Sequence, residues 1–136
     1  MIKLAACVLL AFAIDPLCEG PTAPSYDSND EAITGQWNWV ESVGGIAGIT
    51  VTPESSGRTE LLVFENNNTM KNYVNGGLTE TNTYSLGEDL TIFSADSLPV
   101  IYRDDGFVFA YVFNGKDNLI LNENVYDGFR CYYRRD

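Results

Sequence analysis

The chain has 136 residues, of which 45% are hydrophobic and 20% are charged, a composition typical of one globular domain with a hydrophobic core. Its 19 acidic and 8 basic residues give a formal net charge of −11 at pH 7, so we expect it to bind neither nucleic acid nor an anionic membrane surface. It contains no histidine, which excludes catalytic triads and metal sites that depend on this residue. Carboxylate-pair chemistry stays open, but no pair stands out. We therefore expect a protein that is not an enzyme and that holds no metal or other cofactor.

The N-terminus has the pattern of a secretory signal peptide. Lys3 supplies a positive charge, and an apolar run follows over residues 4–14. This run is too short for a transmembrane helix, which needs about 20 residues. We therefore predict that residues 1–17 are a signal peptide and that the protein is exported, to the periplasm or to the outer membrane or cell surface.

Several cleavage sites are open. Ala11-Phe12-Ala13 is an A-x-A site, but cleavage there leaves a very short signal. Cys18 stands where the lipidated cysteine of a bacterial lipoprotein usually stands, although the four residues before it make a poor lipobox. Cys7 follows a better lipobox but has no apolar run before it. We favour lipidation at Cys18, so that the protein contacts a membrane only through a lipid anchor.

Residues 18–33 have the composition of a flexible tether, because Pro, Gly, Ser, Thr and acidic residues dominate. A tether between a lipidated cysteine and a folded domain is typical of a lipoprotein. If Cys18 carries lipid, Cys131 has no disulfide partner; if it does not, a Cys18–Cys131 bridge is open in an oxidising compartment. No C-x-x-C pair exists, so we expect no structural zinc site.

The remaining chain, residues 34–136, breaks into short segments rich in β-branched and aromatic residues, separated by turns rich in Asn, Asp and Gly. No stripe with helical periodicity follows the leader, so an all-β domain is predicted. The predicted strands are Gln36–Val43, Arg58–Glu65, Thr69–Val74, Leu78–Leu86, Leu90–Ser94, Val100–Arg103, Gly106–Asn114, Asn118–Asn122 and Gly128–Arg134. Gly87-Glu88-Asp89 is among the predicted turns.

One segment needs another element to cover its apolar surface, and a second is placed to cover the barrel mouth. Gly106–Asn114 is apolar on both faces, so we expect its second face to be covered by the tether or by a partner. Gly44–Gly57 is a long loop with an apolar start, which in a barrel is placed to fold over one mouth as a lid.

The first strand opens with Gly35-Gln36-Trp37, and the last strand ends with Arg134 and Arg135. A G-x-W at this position, with an arginine in the last strand, resembles the lipocalins. The resemblance implies an antiparallel up-and-down barrel of lipocalin type with about eight strands. It also implies that Gly35, Trp37 and Arg134 close one end of the barrel, with the guanidinium stacked on the indole. Adjacent residues of a strand point to opposite faces, so Arg134 and Tyr133 lie on different faces of the last strand. Arg135 is therefore the second choice for the residue that covers Trp37.

A closer likeness is to the lipocalin-like small exported proteins of Bacteroidetes. The first strand with Gly44-Gly45, the segment Thr52–Gly57, and Asp127-Gly128 before the final aromatic strand carry it. The chain departs from that pattern where a cysteine is expected before Asp127, since Val125 and Tyr126 stand there. The likeness implies fold and location more than function.

Aromatic residues make up 12% of the chain and suit either a filled barrel or an aromatic-walled cavity. The candidate ligand-binding residues are Tyr73, Tyr84, Tyr111 and Tyr133. The leading hypothesis is a monomeric binding protein for a small apolar or amphipathic ligand at the bacterial envelope. The alternative is a non-enzymatic structural or interaction barrel that docks a protein or glycan at the cell surface. An open interior favours the first and a filled interior the second.

Overall fold

The structure is a computed structural model that describes residues 32–136. The predicted signal peptide, the lipidation site Cys18 and most of the predicted tether lie outside the described residues. Of the described residues, 64% are in strands and 6% in helices, which confirms the all-β prediction. No helix within the described range is long and apolar enough to cross a membrane.

Within residues 32–136 the fold comprises nine strands and, between two of them, one short helix. The strands are β1 Gly35–Gly44, β2 Ile49–Val51, β3 Glu60–Phe64, β4 Thr69–Val74, β5 Gly77–Thr91, β6 Ser94–Arg103, β7 Val108–Phe113, β8 Asn118–Glu123 and β9 Phe129–Arg134. The helix α1 covers Pro53–Ser56 and begins after Thr52, whose side chain accepts a hydrogen bond from the Ser55 backbone N–H.

All neighbouring strands pair antiparallel, and the sheet closes on itself where β1 pairs with β9. On its other edge β1 pairs with β3 through Gly35–Asn38 and with β2 through Ser42–Gly44. The result is a closed eight-stranded antiparallel barrel of lipocalin type, with β2 as a short addition to β1. Closure removes the free strand edges that would otherwise offer unpaired backbone groups to other chains.

The predicted lid, Gly44–Gly57, is instead a hairpin followed by α1. β2 turns back and pairs with the end of β1, and this places Val51 at the rim of the barrel interior. Ile46 at the tip of the hairpin is 90% exposed, so the tip does not cover the mouth.

The predicted turn at Gly87-Glu88-Asp89 is wrong. β5 continues through these residues, and they pair with Val100, Pro99 and Leu98 of β6. The side chain of Tyr102 accounts for this, since its ring packs against Gly87, with Cε2 3.0 Å from where a Cβ on Gly87 would be, and its hydroxyl donates to Asp89 Oδ2 at 2.7 Å. The chain reverses instead at Ile92 and Phe93. We call residues 87–99 the hairpin arm.

The hairpin arm lies against the outside of the barrel. The Ile92 N–H donates to Asn124 Oδ1 at 2.9 Å, which anchors the arm tip to the connection between β8 and β9. Val100 and Ala110 are paired residues on the outer face, and both are buried. The arm therefore supplies the cover that the doubly apolar segment Gly106–Asn114 requires, a role that the sequence assigned to the tether or a partner.

The core fills one half of the barrel. Its members are the buried residues Ile33, Trp37, Leu62, Phe64, Met70, Tyr84, Ile101, Tyr111, Leu119 and Leu121. Ile33 was predicted to belong to the tether, yet it is fully buried and is helical together with Ala32. Ile33 is therefore part of the folded domain, because a fully buried side chain belongs to the packed core.

Candidate functional site

One end of the barrel, the closed end, is sealed by Trp37. Its side chain is fully buried, its indole Nε1 donates to the Ile33 carbonyl at 2.8 Å, and its ring lies 5.9 Å from that of Phe113. The guanidinium of Arg135 lies 4.0 Å from the centre of the indole ring. Its Nη2 also donates to the Ala32 and Thr34 carbonyls, at 2.8 and 3.1 Å. The cation thus ties the chain end to the segment that leads into β1.

Arg135, and not Arg134, covers Trp37. Residues of β9 alternate between the two faces, so Arg135 shares the inner face with Cys131 and Tyr133 while Arg134 is exposed. The cover predicted for Arg134 is therefore wrong by one position. Gly35 fits the closure because its φ of +128° is one that side chains rarely adopt. The Arg135 guanidinium also lies 3.7 Å from where a Cβ on Gly35 would be.

The other end of the barrel holds a cavity of about 290 Å³, which we call the open-end cavity. Its lining residues are Ser42, Val51, Arg58, Glu60, Leu62, Met70, Asn72, Glu80, Arg103, Phe109, Leu121, Glu123, Phe129, Cys131 and Tyr133. Leucine, methionine and phenylalanine side chains form its apolar wall. Charged and amide side chains stand at the mouth, so the cavity combines an apolar depth with a polar rim.

Two arginines of the rim are already paired. Arg58 Nε lies 2.8 Å from Glu60 Oε1, and its guanidinium lies 5.3 Å from the centre of the Trp39 ring. Arg103 forms ion pairs with Glu80 and Asp105 and is almost fully buried. Burial alone would lower the pKa of Arg103, but the two carboxylates outweigh it and raise that pKa, so the guanidinium stays charged.

Cys131 and Tyr133 lie side by side on the inner face of β9. The Ser42 hydroxyl donates to Cys131 Sγ at 3.1 Å and accepts from Trp39 Nε1 at 2.9 Å. Burial raises the pKa of the Cys131 thiol, and the negative charges of Glu123 and Glu60 raise it further. Burial also raises the pKa of Tyr133 well above its ordinary value. Both groups are therefore neutral at physiological pH.

The structure separates the four predicted ligand-binding tyrosines. Only Tyr133 lines the open-end cavity. Tyr84 and Tyr111 are buried in the core, where Tyr84 packs edge-on against Phe64. Tyr73 pairs with Leu61 and lies beside it in a shallow depression on the outer surface. Tyr73, Tyr84 and Tyr111 therefore do not line the open-end cavity with Tyr133, because composition does not say which strand face or barrel end a tyrosine occupies.

Charged residues of the mouth were missed in the sequence. Three of the five stand two residues from a buried apolar residue of the same strand: Glu60 before Leu62, Glu123 after Leu121, and Arg103 after Ile101. Alternation assigns these charges to the inner face. A charge at an inward position near a strand end is thus the signal that marks an open barrel mouth.

A second concave surface, the outer groove, lies between the hairpin arm and the outside of the barrel. It measures about 540 Å³ and is lined by Phe93, Leu98, Pro99, Ala110, Tyr111, Val112, Phe113, Asn122 and Arg130. Phe93 and Val112 remain 44% and 50% exposed there, so the arm covers the apolar face only in part. Among the described residues no group of three or more Cys, Asp or Glu side chains is arranged to hold a metal ion.

An antiparallel barrel of eight strands, sealed at one end and hollow at the other, places this chain among the barrels of lipocalin type. Comparison with known proteins gives no closer assignment, since no family model, no curated protein and no solved structure matches the chain.

Proposed function

We propose that this chain is a non-enzymatic binding protein that holds a small amphipathic molecule in the open-end cavity. The observation that carries the proposal is the contrast between the two halves of one barrel. The half around Trp37 is filled, whereas the half around Phe109 and Phe129 leaves a cavity with an opening to solvent. A filled core alone would stabilise the fold equally well, so the hollow half is better explained by an occupant.

The dimensions of the cavity limit that occupant. A volume of about 290 Å³ lies at the small end of the range for ligand sites, about 300–1,000 Å³. It corresponds to about ten water molecules, which suits one ring with a short polar chain and excludes a long acyl chain. Apolar atoms of the ligand would contact Leu62, Met70 and Phe109, and its polar end would face the charged mouth.

Titration with a small amphipathic probe tests the proposal. We expect phenylethyl alcohol to cause saturable NMR shifts of the Leu62, Met70 and Leu121 methyl groups. Val51→Trp should abolish these shifts because it places an indole in the cavity mouth. Thr81→Trp is the matched control, since Thr81 is exposed on the barrel wall outside the cavity. Absence of saturable shifts, or equal binding by the two variants, would overturn the proposal.

We further propose that the protein is exported and anchored by lipid at Cys18, as a member of the lipocalin-like exported proteins of Bacteroidetes. The apolar run over residues 4–14 and the tether composition support this. Fractionation of host cells should recover the wild-type protein with membranes and Cys18→Ser in the soluble fraction. A fully soluble wild type would contradict lipidation.

A second candidate function is docking of an apolar protein segment in the outer groove. The exposure of Phe93 and Val112 favours it, because large apolar side chains that line a groove are available to a partner. A photo-crosslinking residue at position 112 should then yield one discrete adduct in host cells, and the same residue at position 81 should not. No adduct at 112 would contradict docking, whatever the result for the open-end cavity.

A further inference from the structure

We infer that the molecule held in the open-end cavity carries a positive charge, and that Glu123 is the group that binds it. The inference rests on the function proposed above and specifies its ligand class as small aromatic or aliphatic ammonium compounds. Three observations lead to it: the pairing of charges at the mouth, the aromatic faces around it, and the carboxylate partners that both arginines of the mouth already have.

Among the described residues at the mouth, one carboxylate forms no ion pair with an arginine or lysine. Arg58 is paired with Glu60, and Arg103 is shared between Glu80 and Asp105. Glu123 also lines the cavity, but its Oε2 only accepts the Phe129 backbone N–H at 2.9 Å. Within residues 32–136 no Lys or Arg forms an ion pair with Glu123. A carboxylate at the edge of an apolar cavity is more stable when a cation is close to it.

Glu123 and Glu60 are directed toward the same part of the cavity. The charges of both carboxylates act on Cys131 and on Tyr133, which lie together on β9. Cys131 and Tyr133 are uncharged in their protonated forms, so they do not offset the negative charge of the two carboxylates. An ammonium group placed among these residues would therefore meet a net negative site with hydrogen-bond acceptors.

The aromatic side chains of the mouth favour a cation as well. Phe109, Phe129 and Tyr133 line the cavity, and aromatic faces attract cations. The protein already uses this contact twice at the mouth, since Arg58 lies over Trp39 and Arg103 lies 5.7 Å from the centre of the Phe109 ring. An ammonium ligand would extend an arrangement that the barrel itself contains.

An anionic ligand meets the opposite conditions. Each arginine at the mouth already pairs with a carboxylate, so an anionic ligand would meet cations whose charge is largely offset by Glu60 and Glu80. The formal net charge of −11 also disfavours the approach of anions and favours that of cations. Charge balance therefore selects against the fatty-acid-like occupants that an apolar cavity alone would admit.

Three probes of matched size test the inference: phenethylamine, phenylethyl alcohol and phenylpropionate, which are cationic, neutral and anionic at pH 7. We expect phenethylamine to bind the full mature protein about tenfold more tightly than the alcohol, and phenylpropionate to bind weakest. Glu123→Gln keeps the acceptor for the Phe129 N–H and removes the charge, so it should reduce the amine preference to about twofold or less. Glu88→Gln removes one exposed charge outside the cavity and should retain the preference.

The outcomes separate this inference from the function on which it rests. Binding of phenylethyl alcohol without preference for the amine would overturn the charge assignment and leave the binding function intact. An amine preference that survives Glu123→Gln would overturn the role of Glu123. If none of the three probes shifts the cavity resonances, the binding function itself is wrong.

Discussion

Replacement of Arg135 by alanine tests how the closed end is held together. The variant loses a guanidinium stacked on Trp37 and two hydrogen bonds to backbone carbonyls. The stacking contributes about 1–2 kcal/mol when it is partly desolvated, and each hydrogen bond contributes about 1 kcal/mol net. One opposing effect is that the buried Arg135 Nε has no acceptor in the structure, so alanine relieves about 1 kcal/mol. We expect a net loss of about 2–3 kcal/mol.

Thermal unfolding of the protein, followed by circular dichroism, measures this loss. For a domain of this size 1 kcal/mol corresponds to about 4–8 °C, so the midpoint should fall by about 10–20 °C. Arg134→Ala is the control: Arg134 is exposed one position away, and its removal should change the stability by about 0.5 kcal/mol or less. Arg135→Lys should lie between the two, because lysine keeps the charge but lacks the planar group that stacks and donates two bonds.

The emission of Trp37 gives a second measure that is independent of the unfolding midpoint. In a Trp39→Phe background, Arg135→Ala should shift the emission to longer wavelength, because the indole loses its cover and gains contact with water. Equal midpoints for Arg135→Ala and Arg134→Ala, or unchanged emission in the Arg135 variant, would refute the closure by Arg135.

Three further predictions follow from other contacts. Gly44→Ala should cost about 2–4 kcal/mol in chemical denaturation because a Cβ there would meet the Gly128 carbonyl, whereas Gly48→Ala has open space around it and should cost about 1 kcal/mol. The pKa values of Cys131 and Tyr133 are raised in the folded state, which therefore holds their protons more tightly than the unfolded state. Their contribution to the free energy of unfolding is complete below about pH 8.5 and is lost as the pH rises further. The urea midpoint should therefore fall between about pH 9 and 11, and less steeply in Cys131→Ala. Asn124→Ala should reduce hydrogen-exchange protection of the Ile92 amide while changing the global free energy of unfolding by no more than about 1 kcal/mol. Unchanged protection would contradict anchoring of the hairpin arm.

The local chemistry of the chain predicts most of the strands. Thr69–Val74 is predicted to the residue, because a turn of three asparagines precedes it and Asn75-Gly76 follows it. One exception is β2, which lies in the predicted loop Gly44–Gly57, and another is the predicted strand Leu90–Ser94, which contains the turn between β5 and β6. A third is Gly87, which has the appearance of a turn residue but lies within β5. Because Gly87 has no side chain, the Tyr102 ring of the neighbouring strand can pack against it. A local sequence pattern does not contain information about such a contact between strands.

The closed end could be predicted almost fully, and the open end only in part. Gly35 and Trp37 form a recognisable pair at the start of a strand, whereas the sequence prediction chose Arg134 as the cover and kept Arg135, which alternation places on the face of Tyr133, as the second choice. The tyrosines gave no such information, because Tyr84 and Tyr133 both face inward but lie at different heights in the barrel. Height depends on the stagger between strands, which is a property of the closed sheet and not of any one segment.

The two ends of the barrel differ in packing, and the proposed function assigns recognition to the open end. At the closed end the inward positions carry bulky apolar groups such as Trp37 and Phe64, and the chain end returns to cover them. At the open end the same alternation brings Ser42, Asn72 and Glu123 inward, and these side chains leave space and bring charge. Substitutions at the mouth therefore remove little buried apolar surface, so the charge of the cavity, and with it the ligand preference proposed above, can change while the packing that holds the barrel together is retained.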